Sequence, residues 1–241
     1  MSRGNVLFVV TSHDRMGVLR TRKTGVWLED LAVPHDILRE AGYEVRTASP
    51  RGGEVPVDPD SVKRPDHAAF DPETWLERRK ELLLESIPLG EVRDDEFAAV
   101  FYPGGYGSFW DLSVSPENAE LLEKFVLGGK PVAAIRHGGA ALLAAKTESG
   151  RSILNGRRVT GASDAEERQL ALDRVVPFSL GKRLRKCGAE YVCVEPWKPH
   201  VIADGLLITG QNTQSAGRLA YAMLSAMEGN GDSPRGGDDP P

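Results

Sequence analysis

The dipeptide Arg136-His137 closes a short apolar run, Val132 to Ile135, and meets Gly138, Gly139 and the small-residue stretch AALLAA. Ala134 and Gly138 put small residues two before and two after Arg136. That pattern suits a sharp strand-to-helix elbow, which lifts one side chain above the end of a parallel sheet. Such an elbow ordinarily presents Ser or Cys as nucleophile, and here it presents Arg136. A guanidinium stays protonated and only donates, so it cannot attack. It can hold a carboxylate, a phosphate or a developing enolate while a neighbouring side chain moves a proton. It can equally fill a dead pocket by pairing with an acid, because a buried guanidinium without a carboxylate is costly. Both readings stand on the elbow alone.

Other chemistry-bearing residues lie in four further stretches. Glu29 sits in the apolar run WLEDL, where an acid needs a reason; the bland alternative is that Glu29 and Asp30 are solvated at a helix start. Gly104, Gly105 and Gly107 follow a buried strand, at the edge where parallel sheets bind ligands, although a plain tight turn needs the same glycines. Tyr106, Phe109, Trp110 and Trp27 supply apolar surface for a pocket wall or for ordinary core packing. Asp164, Glu166 and Glu167 form an acidic cluster at a helix start. Gly104, Gly105, Tyr106, Trp110, Trp27 and Gly138 are candidate binding residues, and Glu29, Arg136, His137, Asp164 and Glu166 are the polar candidates whose roles rest on the resemblance given below.

These residues need a frame. NVLFVVT (5–11) is a continuous β-branched run, the mark of a strand buried on both faces. A helix is predicted from Pro34 to Gly42, then a second strand over 43–49. The stretch 49–61 reads as a small hairpin, 72–86 as a helix and 96–107 as a strand with its glycine loop. SPENAELLEKFVLGG is a helix capped by Ser115 with Pro116 in its first turn. After the elbow, 148–161 reads as a hairpin or edge element, 163–170 and 175–188 as helices and AEYVCVE as a strand. A hairpin follows with its turn at Asp204–Gly205, and then a final helix over 213–229. The βαβ order predicts a doubly wound α/β domain with a mostly parallel central sheet and helices on both faces. It spans residues 1–228, with an insertion around 58–92 and a disordered Gly/Pro/Asp-rich tail over 229–241.

Composition narrows the function classes. A net charge of −5 argues against a nucleic-acid surface. No run approaches the ~20 apolar residues of a membrane span. With only two cysteines, Cys187 and Cys193, outside any redox or metal motif, a reducing cytoplasm is expected.

Six blocks in order carry a resemblance: TGVWLEDLAVP (24–34), FYPGGYGSFWDL (101–112), AAIRHGGAALL (133–143), VTGASDAEE (159–167), VPFSL (176–180) and DGLLITGQN (204–212). Together they resemble the ThiJ/PfpI superfamily on the class I glutamine amidotransferase-like fold, in the branch of glyoxalase III-type enzymes and heat-shock chaperones. The resemblance implies an elbow Cys that attacks an aldehyde or acyl carbon, a Glu that shares its proton and a His oriented by an acid. Backbone donors at the glycine loop and elbow complete that set. Carried over, the Glu falls on Glu29, the His on His137 and its acid on Asp164, Glu166 or Glu167. The donors fall on Gly105 and the His137 amide, and the Cys falls on Arg136. The family's GGHG is GGYG here, with Tyr106. The two-His-plus-carboxylate metal set of some chaperone members is not expected, since His13 and His35 lack the spacing.

Three functions follow as expectations. The first is a cofactorless enzyme on a carbonyl-bearing or anionic small molecule that uses Arg136 with Glu29 or His137. The second is a silent pseudoenzyme acting as chaperone or binding module. The third, a glyoxalase, deglycase or amidase, lacks its nucleophile. A homodimer is what the resemblance implies.

Overall fold

Successive side chains of a strand point to opposite faces of a sheet. In β1 (Asn5–Val9), Val6 and Phe8 face one way and Leu7 and Val9 the other, and all four are fully buried. Such a strand belongs inside a parallel sheet covered on both sides. The computed structural model, which describes residues 2–17, 19, 21–63 and 70–229, has that sheet. After β1 come the short β2 (Arg15–Met16) and β3 (Arg22–Lys23), helix α1 (Leu28–Glu40) and β4 (Glu44–Ser49). Helices α2 (Pro59–Lys63), α3 (Pro72–Arg79) and α4 (Glu81–Leu84) lead to β5 (Ile87–Pro88) and β6 (Phe97–Tyr102). Then come α5 (Pro116–Leu127), β7 (Val132–Ile135), β8 (Arg158–Val159), α6 (Asp164–Gln169), α7 (Leu180–Lys186) and β9 (Glu190–Tyr191). The chain continues through β10 (Val201–Asp204), β11 (Leu207–Gly210) and α8 (Ala216–Met227).

The central sheet runs β10-β11-β7-β6-β1-β4-β5, parallel throughout except for β10 against β11. Val6, Phe8, Phe101 and Ile135 pack on one face beneath Leu31 and Leu38 of α1 and Leu219 and Met223 of α8. Leu7, Val9, Val100 and Tyr102 pack on the other beneath Leu121, Leu122 and Phe125 of α5 and Leu180 of α7. Each such side chain contributes about 1.5–3 kcal/mol on burial, so both faces are strongly fixed. The fold is doubly wound α/β, and the carboxyl ends of β1, β6 and β7 lie side by side.

Local departures from the predicted elements have physical causes. Helix α1 starts at Leu28, and Pro34 lies inside it. The apolar packing of Leu28 and Leu31 outweighs the hydrogen bond that proline removes. This puts Glu29 and Asp30 in the first turn, where the helix dipole favours acids. The residues after the elbow form a 3₁₀ segment, Arg136–Leu143, in place of an α-helix. The helix over 72–86 is split into α3 and α4, and that over 175–188 forms only from Leu180, capped by Ser179. The hairpin over 49–61 does not form; Gly53 bridges to Ser86 and Val57 to Val26. The 148–161 element reduces to a Lys146–Ser152 bridge and β8, and AEYVCVE to the two residues of β9. The late hairpin turns at Gly205–Leu206, one residue on, because Asp204 still pairs with Leu207 and Gly205 takes the positive φ of 61°. Residues 64–69 of the insertion and 230–241 of the tail lie outside the described residues.

Candidate functional site

The elbow is built by close backbone approach. Arg136 adopts φ 54°, in the left-handed region that non-glycine residues rarely enter. Strain of this kind is of order 1–3 kcal/mol and persists where the surroundings over-determine it. A Cβ on Gly138 would run into the carbonyl oxygens of Tyr102 and Pro103, so this glycine lets the turn rest on the end of β6. Gly105, at φ 154°, has the Gly25 carbonyl where a Cβ would stand, and the Trp27 N–H donates to the Gly104 carbonyl at 2.7 Å. The glycine loop is thus clamped onto residues 25–27, just ahead of α1.

Arg136 is the centre of this arrangement and is 5% exposed. Its guanidinium lies 4.2 Å from the centroid of the Trp27 ring and 5.8 Å from that of Tyr106. Its Nη1 donates to Thr213 Oγ1 at 3.4 Å and stands 3.9 Å from Asp30 Oδ2. A Cβ on Gly104 would collide with that same Asp30 oxygen and stand 3.3 Å from the Arg136 Cβ, so glycine is what lets the three groups meet. Asp30 thus sets a carboxylate against the elbow, beside the expected Glu29. Glu29 is fully buried in the same turn.

Arg136 opens on a cavity of about 280 Å³. Trp27 and Tyr106 share its floor, Asp58 lines a wall, and Leu170 and Leu172 add apolar surface. Arg22 and Asp60 line it as an ion pair at 2.8 Å. A larger groove of about 440 Å³ beside β4, α3 and α4 has no part of the elbow in its walls. Asp58 Oδ2 accepts from Thr24 Oγ1 at 2.9 Å and Oδ1 from the Asp60 N–H at 3.0 Å. Burial pushes the Asp58 carboxyl above its ordinary range, an effect only partly offset by these donors and by the positive charge of Arg136.

His137 occupies a different compartment. It is wholly buried, with the Tyr106 ring 3.9 Å and the Phe109 ring 5.5 Å from its own. Its Nε2 lies 2.5 Å from Glu167 Oε1. Burial pulls the imidazole pKa down, more than the facing Glu167 raises it. Burial also opposes ionisation of Glu167, but His137 and Arg136 outweigh it and hold that carboxyl below its ordinary range. The pair is a neutral imidazole donating Nε2–H to a carboxylate. Among the described residues, no partner lies within hydrogen-bond distance of His137 Nδ1 or the Tyr106 hydroxyl, although that hydroxyl also helps hold the Glu167 carboxyl down.

The acid facing His137 is thus Glu167, and neither Asp164 nor Glu166 takes that place. Asp164 is half-buried at the first position of α6. Glu166 closes a capping box: its Oε2 accepts from the Ser163 N–H and hydroxyl, each at 2.9 Å. Its Oε1 accepts from Asn212 Nδ2 at 2.9 Å and from Gln211 Nε2 and the Trp197 N–H at 3.1 Å each, tying α6 to the end of β11. Trp110 is not on the cavity either; it stacks on His13 with centroids 5.2 Å apart. Sequence reasoning missed Asp30, Asp58, Arg22 and Thr213. Asp30 was visible beside Glu29, whereas Asp58 and Arg22 sit in polar, turn-rich stretches that carry no periodic signal. Among the described residues, no group of three or more His, Cys, Asp and Glu side chains is placed to hold a metal ion. No helix among them is long and apolar enough to cross a membrane.

Comparison with known proteins adds independent findings. The profile of the DJ-1/PfpI family matches residues 18–226. The glutathione-independent glyoxalase HSP31 of Saccharomyces cerevisiae is 28% identical over 240 residues, covering 95% of this chain and 100% of its own. The structure of Rapid Encystment Protein 24 KDa of Francisella tularensis superposes with a TM-score of 0.87 at 34% identity, covering 93% of this chain and 99% of its own. Glyoxalase III of Candida albicans superposes with a TM-score of 0.84 at 24% identity, covering 92% and 97%, a likeness of fold.

Proposed function

The chain belongs to the DJ-1/PfpI family, and we propose that within it this protein is a cofactorless small-molecule enzyme that works without a cysteine nucleophile. Arg136 stands where the family resemblance implies the reactive Cys, so covalent attack is replaced by charge holding. The substrate class is a small carbonyl-bearing or anionic metabolite, in keeping with the glyoxalase names carried by its relatives. One observation carries this reading: the guanidinium of Arg136, a residue only 5% exposed, is backed by Trp27 and offset by Asp30 and still lines an open cavity. Charge-assisted hydrogen bonds from such a group are short and strong, and Arg matches planar carboxylate or enolate oxygens two at a time. His137 does not line that cavity, so its part is to brace the elbow through Glu167.

The test is turnover. Methylglyoxal and a panel of short keto and hydroxy acids are followed by NMR with the purified protein and with Arg136→Met. Substrate consumption by the wild type that falls at least tenfold in the variant supports the proposal. Consumption unchanged in the variant, or none at all by the wild type, sinks it. A second reading, a catalytically silent binding module or chaperone, is favoured by the Tyr106 ring that closes over His137. It expects suppression of client aggregation without turnover of any of these compounds.

A further inference from the structure

We propose that Asp58 is the proton-transfer residue of the cavity, removing a proton from the carbon next to a carbonyl group whose oxygen is held by Arg136. This rests on the reading of Arg136 given under Proposed function. Residues 24–27 fix the two groups relative to one another. Thr24 holds one oxygen of the Asp58 carboxyl at 2.9 Å, and the Asp58 N–H donates to the Val26 carbonyl at 2.9 Å. The next residue, Trp27, lies under the Arg136 guanidinium. Both side chains line the same cavity, and Asp58 is 4% exposed. A general base should have a pKa near working pH and a fixed direction of attack. Burial raises the Asp58 pKa in that direction, and two fixed donors, Thr24 and the Asp60 N–H, supply the second. The ionisable groups that bear on it are Asp60, which raises its pKa and is itself paired with Arg22, Arg136, which lowers it, and Tyr106 across the cavity.

The step balances without oxidant or metal. The carboxylate of Asp58 takes the proton from the α-carbon, and the C–H electron pair becomes the C=C bond of an enediolate. The carbonyl π pair moves onto the oxygen beside Arg136, the developing anion that the guanidinium stabilises. Return of the proton to the neighbouring carbon, with transfer of the hydroxyl proton between oxygens, converts an α-hydroxyketone into an α-hydroxyaldehyde of the same formula. The substrate class is therefore a short α-hydroxycarbonyl compound, and an α-hydroxycarboxylate is its inert mimic. The same Asp58 contacts also suit a simple N-cap of α2, and the test separates the two roles.

The experiment uses the full-length protein in D₂O. Dihydroxyacetone is the reaction probe, and ¹H NMR follows loss of its C–H signals to deuterium. Glycolate is the binding probe, followed by tryptophan fluorescence. Asp58→Asn keeps its one oxygen for the Asp60 N–H and turns its amide N–H toward the Thr24 hydroxyl, which can accept, so the N-cap survives. Exchange is expected to fall by about 10²–10⁴-fold in this variant, with glycolate affinity within about threefold of wild type. Asp58→Asn that exchanges within threefold of wild type overturns the proposal. So does a wild type that binds glycolate without exchanging dihydroxyacetone, while leaving Arg136 as an anion holder intact. A wild type that does neither removes both. Should Asp58→Asn fail to fold, Thr24→Val decides: losing a donor to the ionised carboxyl must move the acid limb of the exchange–pH profile to higher pH, and an unmoved limb overturns the assignment.

Discussion

Tyr106 separates two buried charge arrangements that differ in what they can reach. Behind its ring, His137 and Glu167 form a sealed pair, 2.5 Å apart. In front of it, Arg136 stacks on Trp27, stands 3.9 Å from Asp30 and faces the cavity that Asp58 lines. The sealed pair keeps the geometry that a histidine-assisted elbow would use, without access to a ligand. The open set has access and a cation but no nucleophile. The difference teaches that inherited residues and usable residues are separate questions, and that exposure to the cavity decides between them.

The largest expected effect comes from the open side. Arg136→Met removes the cation 3.9 Å from the buried Asp30 carboxyl and should cost about 3–5 kcal/mol of folding stability by urea denaturation. Adding Asp30→Asn should recover much of that loss, because the carboxyl charge goes with it. A double variant as unstable as the sum of its singles would break the account of this pair.

Next in size is Glu167→Gln on the sealed side. Trading the charged acceptor of a buried imidazole for a neutral amide oxygen should cost about 1 kcal/mol, while glycolate affinity, read by fluorescence, stays within about threefold. An affinity loss beyond tenfold would dissolve the separation between the compartments.

The third prediction uses pH. The His137 pKa is lowered in the folded state by burial, so the unfolded chain binds more protons near pH 6.5. The stability tied to neutral His137 is therefore present above about pH 6.5 and is lost as pH falls below it. In His137→Asn this part of the slope should flatten in thermal melts between pH 7 and 5. An unchanged slope would show that His137 titrates freely. The smallest effect is Tyr106→Phe, which removes a hydroxyl with no partner within hydrogen-bond distance among the described residues. Stability should stay within about 0.5 kcal/mol or rise. A drop above 2 kcal/mol would reveal a bond to Glu167 that seals the compartment.

Sheet, elbow and glycine loop were legible in the sequence because each leaves a pattern. The run NVLFV reads as a two-face strand, Ala134 and Gly138 bracket a turn, and Ser115-Pro116 opens a helix. What stayed open was phase. The helix start was set by Pro34, yet burial of Leu28 and Leu31 extends the helix backward and puts Asp30 against the elbow. The choice among Asp164, Glu166 and Glu167 is likewise a matter of about 100° per residue, which needs the axis of α6 as well as its sequence. Asp58 was hidden because its setting, DPDS, reads as turn chemistry. Only the tertiary bridge through Thr24 turns it toward the cavity wall.

The central claim is that Arg136 holds a ligand and does more than plug the site. Calorimetric titration of glycolate into wild type and into the Arg136→Met, Asp30→Asn double variant tests it most directly. The account expects saturable 1:1 binding by the wild type and at least a tenfold loss in the double variant, with both proteins folded by circular dichroism. No binding by the wild type, or equal affinity in the two, would contradict it.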